Sequence, residues 1–201
     1  MKLKRIVAYS AVGLLLALFC SCVPKVTRVE SDEGVDLSGF WNDTDSQQVA
    51  QKMIGDAFAD QWIMEFIETS GRKPRLIIGP VLNKTEEHIS TETFVKDLEK
   101  YLITSRKVVF VASKGQRAEI RSERSDQAIN AKIGTAKSHG MELGADFMLH
   151  GQINSILDAN KKAQLKYYQV ELEVIDLESN RIVWMGQEKI KKVISRRRYK
   201  A

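Results

Sequence analysis

The sequence predicts an α/β fold of α+β character: a mixed sheet of about five strands with helices on its faces, ending in a three-stranded antiparallel meander. Three observations carry this. Between Gly144 and Ile194 three long strand-like segments follow one another, joined by the turn-forming stretches Asp158-Ala159-Asn160-Lys161-Lys162 and Glu178-Ser179-Asn180-Arg181. In the middle segment Tyr168, Val170, Leu172 and Val174 alternate with Tyr167, Gln169, Glu171 and Glu173, the period of a strand with one buried and one wet face. Upstream, helix-period and strand-like segments alternate in the order helix, strand, helix, strand, helix.

The chain has 201 residues, enough for one domain with accessories, and its 43% hydrophobic content suffices for a core. Residues 1–21 read as a secretory leader. Lys2, Lys4 and Arg5 form a charged start, and the apolar run from Ile6 to Phe19 is too short for a comfortable membrane span. Phe19-Cys20-Ser21-Cys22 has the form of a lipobox, and Cys22, preceded by small Ser21, is the expected lipidation site. Diacylglycerol and palmitate-type chains there would anchor the protein to a membrane. Val23 and Pro24 follow, without the aspartate that signals inner-membrane retention, so the expected location is the outer membrane, facing the periplasm.

Residues 22–45 read as a lipid-anchored tether and 46–195 as a single globular domain. Thr44 with Gln47 fits a capping box. Val49, Ala50, Met53, Ile54, Ala57, Met64 and Ile67 share one helical face through to Gly71, with Trp62 and Phe66 beside it and Phe40-Trp41 expected to cover them. The apolar run from Arg75 to Leu82 predicts a strand buried on both faces. Residues 83–88 are a loop. Ser90 caps a helix carrying Phe94, Val95, Leu98, Tyr101 and Leu102. Residues 107–112 predict a second buried strand, residues 116–130 a solvated, charge-alternating helix or excursion, and Gly134–Leu143 a short helix feeding the meander. In the first meander strand Phe147, Leu149, Ile153 and Leu157 share a face. Residues 196–201 form a basic tail.

The formal charge of +5 falls to near +2 once the leader's cations are set aside, too mild to indicate nucleic acid. Asp32, Glu33, Asp36, Asp43, Asp45, Asp56, Asp60, Glu65 and Glu68 stand against Lys52 alone between residues 31 and 70, while the body is basic. Either the acidic segment packs on the body or one of these surfaces meets a partner. His88, His139 and His150 are isolated, and His150 alternates with Met148 and Gln152 on one strand face. No zinc pattern, phosphate loop, nucleophile elbow or Cys-His pair is present. The sequence therefore points to no catalytic residue, metal site or cofactor, and to a protein that is not an enzyme.

Several stretches resemble the LpoB-type penicillin-binding protein activators, outer-membrane lipoproteins. They are Asp36-Leu-Ser-Gly-Phe-Trp-Asn-Asp-Thr-Asp-Ser46, Gly79-Pro-Val-Leu-Asn-Lys-Thr85, Leu143-Gly-Ala-Asp-Phe-Met-Leu-His-Gly151 and Ile175-Asp-Leu-Glu-Ser-Asn-Arg-Ile-Val-Trp184. The resemblance implies a fold similar to the N-terminal domain of TolB. It also implies a partner, the docking domain of a bifunctional peptidoglycan synthase, whose glycan polymerisation and crosslinking the protein would stimulate. It identifies no contact residues. Better-known members carry a long Pro-rich tether. Here about 20 residues reach about 70 Å extended and about 25 Å as a coil. An envelope lipoprotein of the same fold with another role, such as a CsgG-type secretion or assembly factor, is the alternative, although no segment is free to form membrane-inserting strands.

Overall fold

In the computed structural model the described residues are 27–30, 34, 37–160 and 163–195. The leader, Cys22 and the basic tail therefore lie outside the described residues. Met1–Gly34 clusters apart from Val35–Ala201, and the second unit carries every element below.

Helices α1 (Asp43–Ala59) and α2 (Trp62–Ser70) precede strand β1 (Arg75–Asn83). Helix α3 (Thr91–Ser105), strand β2 (Val109–Phe110) and helix α4 (Lys114–Asn130) follow, then β3 (Phe147–Ala159), β4 (Ala163–Asp176) and β5 (Ile182–Ser195). The five strands form one sheet in the order β2-β1-β3-β4-β5. β1 runs parallel to both β2 and β3, and β3, β4 and β5 are antiparallel. The mixed sheet and its C-terminal meander are as the sequence predicts.

The buried side chains of α1, α2 and α3 belong to the same cluster as Leu76, Ile78, Phe147, Leu149, Ile153, Tyr168, Val170, Leu172, Val174 and Trp184. Those strand residues share one sheet face, so the core is a single layer between three helices and that face. Helix α4 has no buried residue, in line with its charge alternation.

Several expectations give way to local chemistry. The N-terminal helix is two helices. Asp60 leaves helical geometry at ψ 158°, and its Oδ1 accepts from the Trp62 N–H at 3.2 Å. The break resets the helical phase, so Trp62 and Ile63 are buried while Met64 is 59% exposed. The capping box is Asn42 with Asp45, not Thr44 with Gln47: Asn42 Oδ1 accepts from Asp45 N–H, and Asp45 Oδ2 from Asn42 N–H, each at 3.0 Å. Trp62 and Phe66 are covered by Phe147, with ring centroids 5.1 Å away in both pairs, rather than by Phe40 and Trp41. Trp41 instead meets Phe94 and Tyr168 edge-on.

The second buried strand shrinks to a two-residue edge strand, with Val108 and Val111 buried to either side. Residues 134–143 form no helix. Gly134 and Gly140 take left-handed φ of 86° and 73°, which interrupts helical geometry, and Glu142 is tied to Arg121 and Arg124 of α4 instead. Leu157 lies on the predicted face but is exposed, whereas its cross-strand neighbour Lys166 is buried there.

β1 shows why the meander starts where it does. Leu76, Ile77 and Ile78 are all buried, as a strand covered on both faces requires. The register with β3 then shifts between Ile78 and Val81. Gly79 sits in that irregularity, and a β-carbon there would come within 2.6 Å of Met148 Sδ. Asp146, just before β3, fastens the other end of the pair. It accepts two N–H bonds from Arg72 at 2.7 and 2.8 Å and one from Arg75 N–H at 2.8 Å.

Candidate partner-binding face

Strand register lays out the sheet face opposite the helices row by row across β3, β4 and β5. Met148, Ile175 and Ile182 form an apolar row, adjoining Ile77 of β1. His150, Glu173 and Met185 follow, then Gln152, Glu171 and Gln187, then Asn154, Gln169 and Lys189. Along β4 the face toward the helices is buried while Gln169, Glu171 and Glu173 are half-buried, the alternation the sequence shows.

Glu171 is the centre of these rows. Its Oε2 accepts from Gln152 Nε2 at 2.9 Å, and its Oε1 from Gln169 Nε2 and from Gln187 Nε2 at 3.2 Å. Tyr167 O–H donates to Gln169 Oε1 at 2.8 Å, so the amide is held in turn. The Gln152 donor, followed by Gln169, lowers the Glu171 carboxyl below the usual glutamate range. His150 Nε2 lies 3.1 Å from Glu173 Oε2, which makes His150 a strand-face histidine beside a carboxylate. Leu82, His150, Gly151, Gln152, Glu171 and Glu173 line a shallow concavity of about 210 Å³. Carboxylates and amides locked into one another in this way present fixed donors and acceptors for recognition and offer no nucleophile with its base. Among the described residues no group of three or more His, Cys, Asp or Glu side chains could hold a metal ion.

A second polar centre ties the N-terminal approach to the sheet. Asn83 Nδ2 donates to the Glu87 carbonyl at 2.7 Å, and this folds loop 83–90 so that Glu87 reaches β4. Glu87 accepts from Lys166 Nζ at 2.6 Å and from the Tyr168 hydroxyl at 2.7 Å. Burial, and then the hydrogen bond to Glu87, drive the Tyr168 hydroxyl far above its usual range. Lys166 also stands 3.2 Å from the Phe40 ring centroid. Lys192 Nζ donates to Asp45 Oδ2 at 2.6 Å and to the Phe40 carbonyl at 3.2 Å. Of the acidic segment, Asp45 thus packs on the basic body. Sequence reasoning passed over Glu87 as a loop residue; the Asn83 and Thr85 turn chemistry was the available signal.

What fold and face define is a layered α/β domain with α1, α2 and α3 on one side of a mixed sheet and, across β3, β4 and β5, an ordered polar surface on the other. The chain belongs to the family of the peptidoglycan-synthase activator LpoB, whose sequence model matches residues 45–190. Among solved structures it is similar to the LpoB C-terminal domain from Escherichia coli at 15% identity, covering 74% of this chain and 99% of that one with a TM-score of 0.46. The E. coli LpoB structure determined by NMR is 17% identical, with 88% of this chain and 87% of that one covered and a TM-score of 0.38. Lipoprotein GNA1162 from Neisseria meningitidis is 10% identical, with 60% and 83% covered and a TM-score of 0.39. No curated protein matches the chain. No helix among the described residues is long and apolar enough to cross a membrane.

Proposed function

We propose that this protein is a membrane-anchored envelope lipoprotein whose domain activates a bifunctional peptidoglycan synthase, a penicillin-binding protein, by binding it and performing no chemistry of its own. The anchor is a lipid on Cys22, and the membrane is the outer membrane seen from the periplasm. Membership in the activator family supports the class of partner. The observation that carries the contact surface is the Glu171-centred face: three glutamine donors hold one carboxylate, leaving a rigid polar patch flanked by exposed Met185 and Leu82. A preordered surface of this kind loses little side-chain freedom on binding.

The test adds residues 35–201 to each bifunctional synthase of the same cell and follows glycan polymerisation. Stimulation of at least one synthase is expected. Met185→Glu should reduce it about tenfold, the cost of about 1.4 kcal/mol of binding, without moving the melting temperature, since that side chain is exposed. Stimulation of no synthase, together with no pull-down of any, removes the activator reading. Turnover of purified sacculi by the domain alone would mark a hydrolase, and ring oligomers in detergent a CsgG-type secretion factor. Fatty-acid labelling that survives Cys22→Ala would move the anchor elsewhere.

A further inference from the structure

The rows of the open face change character toward the far end of the meander. Beyond Asn154, Gln169 and Lys189 come Ile156, Tyr167 and Lys191, then Asp158, Leu165 and Val193. Ile156 is 65% exposed and Val193 72%. Lys189 and Lys191 are exposed, and the Lys191 ammonium stands 5.9 Å from the Tyr167 ring centroid. Asp158 is the acidic member of these rows. Past Ser195 the sequence continues Arg196-Arg197-Arg198-Tyr199-Lys200. On the reverse side of the same end Leu157 is exposed, as is Leu37. The chain arrives from its N-terminus here: Gly39 packs directly against Ile194, and Lys192 holds the Phe40 carbonyl at 3.2 Å.

The geometry points to this sheet end as a second membrane contact, one that lies on an anionic phospholipid surface. Exposed Ile156 and Val193 supply apolar area at the height of the acyl boundary. Tyr167 has the amphipathic ring of interfacial residues, and Lys189 and Lys191 carry their charge on flexible apolar stems. Neither part is strong alone. A small apolar patch with a few cations becomes a lasting anchor when it adds to another membrane signal. Chain length supplies that addition, and this step rests on the Cys22 anchor proposed above. About 15 residues separate Cys22 from Leu37, roughly 50 Å at full extension, so this end stays within reach of the leaflet that holds the lipid. The His150 and Gln152 rows lie about 13–20 Å farther along the strands, clear of that contact.

The test uses lipid-free residues 35–201, which include every residue of the core cluster. Sedimentation with vesicles of phosphatidylglycerol and phosphatidylcholine is compared with sedimentation on phosphatidylcholine alone. Binding to the anionic vesicles is expected, falling as salt rises. Each cation is worth about fivefold, so Lys191→Glu, which lies outside the partner-facing rows, should weaken binding by at least about fivefold. Ile156→Ser with Val193→Ser should also weaken it, and both variants should melt as the parent does. Equal sedimentation with both vesicle types, or unchanged binding by both variants, overturns the proposal. So does binding that truncation after Ser195 abolishes while the lysine variant leaves it intact. The lysine variant should still stimulate the synthase in lipid-free solution; if it instead loses stimulation and keeps vesicle binding, the surface is a protein contact. Fatty-acid labelling reads the Cys22 anchor separately, so its failure leaves the vesicle result standing.

Discussion

The indole of Trp184 fills the space where a side chain on Gly186 would begin. The two residues sit two apart on the core side of β5, and a β-carbon on Gly186 would overlap the six-membered ring, with Met53 Cε at 3.4 Å behind. Trp184 is thereby folded down over its own strand beneath α1 and is only 7% exposed. Gly186→Ala should therefore force the indole out of place. Overpacking of this kind costs about 1–3 kcal/mol, a fall of several degrees in melting temperature for a domain of this size. Near-ultraviolet circular dichroism should change with it. A variant that melts within a degree of the parent with an unaltered tryptophan signal would refute the packing.

Asp146 fastens the start of β3 to β1 through Arg72 and the Arg75 N–H. The Arg72 guanidinium, ahead of the Arg75 N–H, lowers its carboxyl below the ordinary aspartate range. A carboxyl depressed in the folded state stabilises fully above its unfolded pKa, and that contribution is lost as pH falls through the folded value. The parent should lose melting temperature progressively below about pH 4. Asp146→Asn should be less stable than the parent at pH 7, and the difference should shrink toward pH 2. A difference that stays constant from pH 7 to pH 2 would detach Asp146 from this behaviour.

Val174 and Glu173 are neighbours on opposite faces of β4. Val174 is 1% exposed, against Trp184 of β5, whereas Glu173 meets His150 on the open face. Val174→Asp places an unpaired carboxylate in the core and should unfold the domain. Glu173→Lys should shift stability by less than about 1 kcal/mol. Similar thermal melts for the two variants would contradict the register.

Glu87 neutralises Lys166, whose side chain is 8% exposed, and accepts from Tyr168. Glu87→Ala strands a buried ammonium and should cost about 3–5 kcal/mol. The double variant Glu87→Leu with Lys166→Met removes both charges and should recover most of that loss. If the double variant is no more stable than Glu87→Ala, the loop is held by something other than this pair. Chemical denaturation of the three proteins decides it.

The meander was legible because its signal is local and periodic: Tyr168, Val170, Leu172 and Val174 alternate without interruption, and each is buried. Helix α3 was legible for the same reason, with Ser90 at its start accepting from Thr93 N–H. The break after Ala59 was not, because Asp60 and Gln61 are compatible with helix and only the Trp62 demand for a place on Phe147 sets the new phase. The two-residue β2 reads as a full strand because Val108 and Val111 are buried without both being paired in the sheet. The open face was half legible. Its residues appear in sequence as the wet face of β4, but that Gln152, Gln169 and Gln187 converge on Glu171 depends on register across three strands, which alternation alone leaves open by steps of two.

The anchored arrangement makes a demand on length that the cell can report. Residues 39–42 already pack on the domain, so the free tether from Cys22 to Leu37 spans at most about 50 Å when extended, and about 20 Å as a relaxed coil. A synthase docked on the Glu171 face must rise toward the anchoring membrane, or the anchor must sit close to it. Effective concentration across a tether vanishes when the linker cannot span the sites and declines only slowly once it can. Lengthening the tether with a flexible insert should therefore leave activation in cells intact or increase it. Removing about ten residues takes roughly 35 Å from the extended reach and should abolish activation in cells. The same shortened protein should stimulate the purified synthase as well as the parent does, because in solution both partners diffuse freely. Growth that depends on the activator, scored beside polymerisation by the purified pair, separates the two. A shortened tether that works equally well in both settings would show that reach is not what limits the contact.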